Sequence, residues 1–281
     1  MTDVFLQTVS QLIAAGIESP RLEARMMIAF VCGVEVDSIG ENAELTLTQN
    51  QELNNILHRR LNHEPLDKIL GYRDFYKYRF IVSCNVLTPR PDSEILVEET
   101  IKIARNCRYD KILELGVGSG CLILSVLSEI PQMQAVGTDK SAAALEIAAK
   151  NAENMGLSNR VKLLQADYFA DLPFLEKFPL IISNPPYIPT SDIDKLDEEV
   201  AKYDPKMALD GGEDGYEHYR RIAEIIPFIL ENDGFLLLEV GQNQADTVAE
   251  IFINKNLILI DKIPDLSGIE RCVVFQNRAN R

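Results

Sequence analysis

LELGVGSGCL, residues Leu113 to Leu122, places three glycines between a short β-rich run and the start of a helix-period run. Gly116, Gly118 and Gly120 allow a tight turn and a close backbone approach to a bound nucleotide, while a helix N-terminus offers unpaired N–H groups. The dinucleotide fingerprint has Gly or Ala at the next position, where this chain has Cys121, and this disfavours an NAD site. The stretch therefore predicts the first βα turn of a nucleotide-binding sheet.

Outward from this turn, β-rich runs alternate with helix-period segments from about Pro91 onward. The alternation is typical of a parallel sheet covered on both faces by helices. Seven strands are predicted, with the sequences KILEL, QAVGTD, VKLLQ, FPLIIS, GFLLLEV, LILIDKI and RCVVFQ. In such an α/β, Rossmann-like fold, ligands bind beyond the carboxyl ends of the strands, where the strand order reverses.

The N-terminal part differs, because its apolar residues recur at three- and four-residue steps. Helices are predicted at Val4–Ile17, Pro20–Gly33 and Leu47–Asn62, with Ser19 and Thr48 as N-caps of the second and third. These segments are expected to form a small helical bundle.

The stretch RDFYKYRFIV, residues 73–82, alternates apolar with charged residues and predicts a hairpin. The expected organisation is a helical domain at 1–75, a β-hairpin linker at 76–90 and an α/β domain at 91–281. The segment 188–215 is too long for a simple connection. It is interpreted as a lid or substrate-contacting segment, with a disordered acidic loop as the alternative.

Acidic and aromatic residues follow the strands next to the glycine turn. Asp139, after the second strand, can accept hydrogen bonds from both hydroxyls of a ribose. Asp167 and Tyr168, after the third strand, can accept a hydrogen bond from an adenine amine and lie against its ring. Glu114 lies beside the turn and is a further candidate for the ligand site. The alternative is that it packs against a helix N-terminus. Helix or turn capping is the alternative for Asp139 and Asp167. Taken together, the set predicts an adenosine-binding crevice.

The motif NPPY, Asn184 to Tyr187, follows the fourth strand and overhangs the same crevice. Its two prolines fix the backbone, since each holds φ near about −65°. The side-chain carbonyl of Asn184 and the backbone carbonyl of Pro185 can then converge on the two hydrogens of one planar amino group. Tyr187 can stack on that group. We interpret the motif as a clamp for a planar amine, with a proline-stiffened loop as the alternative.

Composition excludes several classes of function. Asp and Glu total 43 against 28 Lys and Arg, a net charge of −15, which disfavours a broad phosphate-binding face. Five scattered cysteines and three histidines indicate neither a metal site nor a disulfide framework. The acidic start MTDVF does not resemble a signal peptide, and no apolar stretch reaches membrane-spanning length. We expect a cytoplasmic protein without membrane partners.

An adenosine crevice beside an amine clamp requires an electrophile that a nucleoside can carry, and S-adenosyl-L-methionine meets that requirement. Its sulfonium methyl is already activated, so neither a protein nucleophile nor a metal is demanded. The predicted chemistry is methyl transfer to a planar amine.

At these motifs the chain resembles a known family. ELGVGSG, GTD and NPPY resemble motifs of class I S-adenosylmethionine-dependent methyltransferases. PRLEARMMIA, LTPRPDSEILVEE, SNPPYI and DPKMALDGGEDGYEHYRRI are together similar to the peptide chain release factor glutamine methyltransferases, the PrmC/HemK family. This chain departs from the family pattern at Thr88, where Ile or Val is expected, and at Tyr168, where Trp is frequent.

The resemblance implies a seven-stranded methyltransferase sheet with a small N-terminal helical bundle. It implies methylation of the side-chain amide of the glutamine in the Gly-Gly-Gln motif of class I release factors, which would be gripped by the N-terminal domain. The predicted cofactor-binding residues are Glu114, Gly116, Val117, Gly118, Ser119, Gly120, Asp139, Asp167, Tyr168 and Asn184, and the predicted catalytic residues are Asn184, Pro185, Pro186 and Tyr187.

Two alternatives stay open at the level of sequence. An adenine- or guanine-amine methyltransferase acting on DNA or RNA uses the same kind of clamp, but the acidic charge and the lack of a basic recognition segment disfavour stable nucleic-acid binding. A non-catalytic protein built on a methyltransferase scaffold is the second alternative.

Overall fold

The chain is described by a computed structural model that covers residues 4–40, 43–170, 172 and 176–278. It divides into two compact units, the first formed by Met1–Gly71 with Glu198–Tyr203, and the second by Tyr72–Asp197 with Asp204–Arg281. The predicted domain ends at residues 1 and 281 lie outside the described residues. The predicted internal boundaries at 75 and 90 stay predictions.

The first unit is helical. It consists of α1 (Val4–Ala14), α2 (Pro20–Cys32), α3 (Leu47–Leu61), α4 (Leu66–Leu70) and α8 (Glu198–Tyr203). Phe5 and Leu12 of α1, Met27 and Ile28 of α2, and Leu53 of α3 are almost fully buried. Their helical spacing places them on inward faces, so the apolar periodicity of the sequence accounts for this core.

Helix α3 begins with a capping box. The backbone N–H of Thr46 donates to Gln49 Oε1 at 2.9 Å, and the backbone N–H of Gln49 donates to Thr46 Oγ1 at 3.3 Å. The predicted N-cap at Thr48 is therefore wrong, because the Thr-x-x-Gln spacing that forms a reciprocal cap starts two residues earlier. Ser19 does occupy the N-cap position of α2, but its side chain makes no capping hydrogen bond.

The second unit starts with the predicted hairpin. Strand β1 (Tyr72–Phe75) pairs with β2 (Tyr78–Ile81) in antiparallel register, with Tyr72 opposite Ile81. Tyr76 lies in the turn with a positive φ of 57°.

A seven-stranded sheet forms the centre of the second unit. Its strands are β3 (Lys111–Leu115), β4 (Gln134–Asp139), β5 (Val161–Gln165), β6 (Phe178–Ser183), β7 (Leu230–Glu239), β8 (Ile258–Pro264) and β9 (Glu270–Gln276), in the order β5-β4-β3-β6-β7-β9-β8. The strand number and the central position of the sheet confirm the prediction. The chain runs from β3 outward to β5 and then returns to β6 on the other side of β3, so the order reverses between β3 and β6.

The sheet is parallel over most of its width and mixed at one edge. Strands β3 to β7 are parallel, but β9 is antiparallel to both β7 and β8. A short turn joins β8 to β9, and strands joined in this way must run in opposite directions, since a parallel connection needs a crossover of roughly a dozen residues or more.

Helices cover both faces of the sheet, as predicted. Ile112 faces the core formed with α5 (Glu94–Cys107), α6 (Cys121–Glu129) and α7 (Ala142–Asn154). The neighbouring Leu113 faces the opposite core, formed with α9 (Glu217–Ile229) and α10 (Ala245–Ile253). Successive strand residues point to opposite faces, so a sheet buried on both sides requires continuous apolar runs such as FPLIIS.

Across the described ranges, no helix has both the length and the apolar composition needed to span a membrane.

Candidate functional site

A cavity of about 510 Å³ opens at the carboxyl ends of the sheet strands, around the point where the strand order reverses. It is large enough for a nucleoside-sized ligand. Of the predicted site residues, the cavity is lined by Glu114, Gly116, Val117, Gly118, Ser119, Asp139, Asp167, Tyr168, Asn184 and Pro186. Gly120, Pro185 and Tyr187 are not part of its lining.

The glycine turn is fixed from several sides. The backbone N–H groups of Gly116 and Val117 both donate to Thr138 O at 2.8 Å, and Asn151 Nδ2 donates to Ser119 O at 2.8 Å. Gly120 has a φ of +82°, and a Cβ there would lie 3.0 Å from Leu124 Cδ1. A side chain at this position would meet both backbone strain and the core of α6. The turn is thus rigid before any ligand binds.

Asp139 connects the end of β4 to this turn. Its Oδ2 accepts from the N–H of Gly118 at 2.9 Å and its Oδ1 accepts from the N–H of Ser141 at 2.8 Å. Burial raises the pKa of Asp139, and the backbone hydrogen bonds act in the opposite direction. The N-cap of α7 is Ser141, whose hydroxyl accepts a hydrogen bond from Ala144 N. Asp139 therefore does not cap the helix itself; it accepts from Ser141 N in the turn that precedes it. A carboxylate has about four acceptor positions, so acceptor capacity remains for a ribose hydroxyl.

Glu114 is 1 % exposed, and its Oε2 accepts from the N–H of Ile123 in the first turn of α6 at 3.1 Å. Burial raises its pKa well above the ordinary range. The packing role considered for this acid is therefore present, and the residue also lines the cavity.

The rim formed after β5 contains a hydrogen-bonded aromatic group. Asp167 Oδ1 accepts from Phe169 N at 2.9 Å, which is the turn-capping role, while its Oδ2 lies 2.8 Å from Lys140 Nζ. Tyr168 is half-buried, and its hydroxyl bonds to His218 Nδ1. His218 Nε2 lies 3.1 Å from the backbone O of Asp210. A carbonyl oxygen only accepts, so Nε2 bears the proton and the Tyr168 hydroxyl donates to Nδ1.

Phe169 is a cavity residue that sequence reasoning missed. Its ring stacks on that of Tyr168 with centroids 5.4 Å apart and is 40 % exposed. The signal was the apolar side chain directly after Asp-Tyr, which no buried strand or helix requires. Burial of His218 lowers its pKa, which favours the neutral imidazole beside these rings.

The NPPY segment is fixed by close contacts at its tyrosine. Gly211 and Gly241 approach Tyr187 so closely that a Cβ at either would lie within 2.9 Å of it. Gln244 Nε2 donates to Tyr187 O at 2.9 Å. Burial raises the pKa of Tyr187 to about 12, so its hydroxyl stays protonated. In this structure the tyrosine thus supports the motif, and its predicted stacking on a substrate stays a prediction.

Two segments quoted for the family resemblance meet beside the motif. Arg90 Nη2 lies 3.1 Å from Asp204 Oδ2, and the N–H of Thr88 donates to Asp204 Oδ1 at 3.3 Å. Asn184 Nδ2 donates to Ser93 Oγ at 3.4 Å. The contact between Asn184 and Ser93 was not predicted, because the residues are 91 positions apart and no periodic pattern connects them.

The segment 188–215 contains short helices rather than an unstructured loop. Turns of 3-10 helix at Thr190–Lys195 and Lys206–Ala208 flank α8, and Ile193 and Leu209 are buried. Thr190, Met207, Asp210 and Gly212 line the cavity. In the described part of the chain, no cluster of three or more His, Cys, Asp or Glu residues is arranged for a metal ion.

Family models match most of the chain. The PrmC N-terminal domain matches residues 3–71 and the Methyltransferase small domain matches residues 91–204. The chain is 38% identical to a release factor glutamine methyltransferase of Rhodospirillum rubrum over 96% of its length and 82% of that protein. It is 39% identical to one of Caulobacter vibrioides over 92% of its length and 90% of that protein.

Solved structures agree with the fold. A methyltransferase from Pyrococcus furiosus superposes with a TM-score of 0.53 at 16% identity, covering 80% of this chain and all of that one. At this identity the similarity concerns the architecture of the sheet and its helices.

Proposed function

The chain belongs to the family of release factor glutamine methyltransferases, and on that premise we propose that it methylates the glutamine of the Gly-Gly-Gln motif in class I peptide chain release factors. It is an S-adenosyl-L-methionine-dependent methyltransferase that acts on a protein glutamine. The observation that carries the proposal is one cavity that is lined both by the glycine turn with Asp139 and by Asn184.

The cavity residues fit the cofactor. Gly116 and Gly118 leave open space where a side chain would lie, and Asp139 retains acceptor positions beside the turn. Asp167, Tyr168 and Phe169 form an aromatic and acidic rim suited to an adenine. Glu114 adds a carboxyl group to the same wall. We assign these residues, with Val117, Ser119 and Gly120 of the turn, to cofactor binding.

S-adenosyl-L-methionine, when bound, supplies a methyl group that its sulfonium already activates, so the protein must mainly orient the acceptor. An amide nitrogen is a weak nucleophile because its lone pair is delocalised into the carbonyl. In the proposed arrangement Asn184 Oδ1 and the backbone O of Pro185 accept the two N–H hydrogens of the glutamine amide. This fixes the nitrogen and increases its electron density. Pro186 stiffens the segment, and Tyr187 supports it.

Selectivity requires contacts outside the clamp, since glutamine amides are common. We assign recognition of the release factor to the helical N-terminal region, residues 1–75, which the family model for the PrmC N-terminal domain largely covers. Glycines before the target glutamine give its loop the freedom to enter the cavity. The net charge of −15 disfavours stable binding of nucleic acid, so base-amine methylation has no support beyond the shared clamp. The five free cysteines are compatible with action in the cytoplasm.

The test is incubation of the full-length protein with S-adenosyl-L-methionine and a class I release factor, followed by mass spectrometry of the tryptic peptides. The expected product has one added methyl group on the motif glutamine, and a release factor with Asn in place of that glutamine is the control. A methylated control, or an unmethylated natural factor, would refute the proposal.

The contribution of the helical region is measured with the same full-length protein. We expect kcat/KM on the intact factor to exceed that on a short Gly-Gly-Gln peptide by at least about tenfold, because docking raises the local concentration of the loop. Equal values would show that the clamp alone selects the substrate.

A further inference from the structure

Glu239 is a buried acid for which the proposed chemistry has so far given no role. It is the last residue of β7 and is 3 % exposed. Its Oε2 has no hydrogen-bond partner among the residues that the structure describes. A buried carboxyl group without full hydrogen bonding is costly, and such groups are found at functional sites more often than elsewhere.

The position of Glu239 follows from the sheet register. Strands β6 and β7 are parallel neighbours, with Ser183 opposite Leu238. Continuing this register by one residue brings Asn184 opposite Glu239 at the carboxyl edge of the sheet. The acid therefore lies beside the asparagine of the clamp, on the strand next to it.

Ser93 lies at the same place. It is 3 % exposed, belongs to the 3-10 turn that precedes α5, and its Oγ accepts from Asn184 Nδ2 at 3.4 Å. Ser93 and Asn184 both lower the pKa of Glu239, which favours its charged form. Three buried or half-buried polar groups thus meet directly behind the clamp.

The direction of these hydrogen bonds decides which way the Asn184 amide faces. A serine hydroxyl has one proton to donate. When Ser93 donates that proton to the Glu239 carboxylate, its lone pairs accept from Asn184 Nδ2, and Asn184 Oδ1 is left for the cavity. When Glu239 is protonated, it can donate to Ser93, and the Ser93 proton becomes available to Asn184 Oδ1. The amide can then turn over and present N–H groups, which cannot hold the hydrogens of another amide.

We propose that Glu239 and Ser93 are positioning residues of this methyltransferase, which act through a Glu239–Ser93–Asn184 relay to keep the Asn184 side-chain carbonyl facing the acceptor amide. The relay rests on the proposed function of Asn184 as a clamp residue. The relay gives a role to a buried acid that lacks full hydrogen bonding. Only an ionised carboxylate at position 239 fixes the direction of both hydrogen bonds, from Ser93 to Glu239 and from Asn184 to Ser93.

The ionisation state of Glu239 is finely balanced. Its pKa is raised to about 7, chiefly by burial and also by Asp92, and the interactions with Ser93, Arg271 and Asn184 partly offset this rise. Tyr187, Tyr219, Cys121 and Cys272 also face this acid and are coupled to its charge. Burial raises the pKa of each of these four groups, so they stay protonated at neutral pH. Arg271 is paired with Asp92 at 3.1 Å and with Asp265 at 3.2 Å.

Steady-state kinetics on the full-length protein test the relay. For Glu239→Gln and Ser93→Ala we expect kcat on a class I release factor to fall roughly tenfold to a hundredfold, with cofactor affinity within about twofold of wild type. In the wild type kcat should rise with pH across the range near 7, and in Glu239→Gln this rise should be absent. Ser125→Ala is the matched control, since Ser125 Oγ is also buried and has no hydrogen-bond partner within the described ranges, but lies outside the cavity lining.

A second measurement does not depend on activity. In protein labelled with ¹⁵N-asparagine, the side-chain amide signals of Asn184, identified by their loss in Asn184→Ala, should shift with pH near 7. Glu239→Gln should abolish that shift, and Ser125→Ala should preserve it. The relay would be overturned, even if the release factor is methylated, if the Asn184 amide signals did not shift with pH. It would also be overturned if they shifted with pH in Glu239→Gln as they do in the wild type. Absence of methylation by the wild type would instead refute the proposed function, and the amide signals would still test the relay.

Discussion

Asp139 Oδ2 accepts a hydrogen bond from the N–H of Gly118 at 2.9 Å, so the acid that ends one strand fixes the glycine turn that follows the neighbouring strand. Gly118 has a φ of +52°, a conformation that L side chains rarely adopt. The same carboxylate thus serves the shape of the turn and supplies acceptors to the cavity. Loss of its charge should affect both.

Asp139→Asn tests this double role. We expect the affinity for S-adenosyl-L-methionine to fall by roughly 1–3 kcal/mol in isothermal titration calorimetry, since charge-assisted acceptors for ribose hydroxyls and for Gly118 are replaced by a weaker amide. Asp261→Asn is the control, because Asp261 is exposed on β8 away from the cavity. Unchanged affinity in Asp139→Asn would remove this residue from the cofactor site.

Asn184→Ala separates acceptor binding from cofactor binding. Turnover of the release factor should fall by about a hundredfold or more, because an oriented acceptor at the reacting group is lost. Cofactor affinity should stay close to wild type. Single-turnover kinetics and calorimetry on the same preparation check both halves, and a collapse of cofactor binding with turnover preserved would contradict the assignment.

Gly120→Ala is expected to destabilise the second unit by more than the positive φ alone requires. Gly156, after α7, has a similar φ of +69° but open space around the position of a Cβ, whereas a Cβ at Gly120 meets Leu124 at 3.0 Å. We expect roughly 1–2 kcal/mol for Gly156→Ala and a larger loss for Gly120→Ala in urea unfolding. Equal losses would show that Leu124 moves aside freely.

Glu239→Gln should change the pH dependence of stability. The folded pKa of Glu239, about 7, lies above its ordinary value of 4.5, so its contribution to stability is fully present below pH 4.5 and is lost as pH rises toward 7 and beyond. The loss is on the order of 3 kcal/mol. Denaturant unfolding at pH 5 and pH 8 should show a smaller decrease in the variant than in the wild type. A parallel decrease in both proteins would mean that burial does not raise this pKa.

Arg60 and Arg59 offer a matched pair in the first unit. The Arg60 side chain is 5% exposed and pairs with Glu23 and Glu199, both at 2.6 Å, whereas Arg59 is 46% exposed and pairs with Glu64. Arg60→Ala should lower the free energy of unfolding by about 3–5 kcal/mol, because it leaves a poorly solvated acid without its charged partner. Arg59→Ala should lower it by at most about 1 kcal/mol. Thermal unfolding followed by circular dichroism distinguishes them. Similar melting temperatures would show that water replaces the Arg60 pairs.

The sheet and the glycine turn were predictable because they depend on local periodicity and on short motifs. The runs KILEL, QAVGTD, VKLLQ and FPLIIS coincide with β3 to β6 residue by residue. The sequence analysis assigned no direction to the last two strands, since apolar runs such as LILIDKI and RCVVFQ contain no information about direction. The short turn between them was the better guide.

Other features depend on residues far apart in the chain. Ser93 and Glu239 meet Asn184 only through folding, and a lone Ser or Glu in a sequence gives no sign of it. The α8 helix was also missed, because its six residues, EEVAKY, are too few and too polar to show a helical period. The ion pair between Arg60 and Glu199 is one of the contacts that join it to the helical unit.

That ion pair has a consequence for how the protein is made. Arg60 and Glu199 are 139 residues apart, so the ribosome must add all of the intervening chain before the buried guanidinium meets its second partner. At bacterial and eukaryotic elongation rates this takes about 7 to 28 seconds. During that interval Glu23 is the only one of the two acidic partners of Arg60 that has been synthesised. Helix α8 is therefore a late addition to the helical unit, and the second ion pair of Arg60 can form only after strands β3 to β6 have been synthesised.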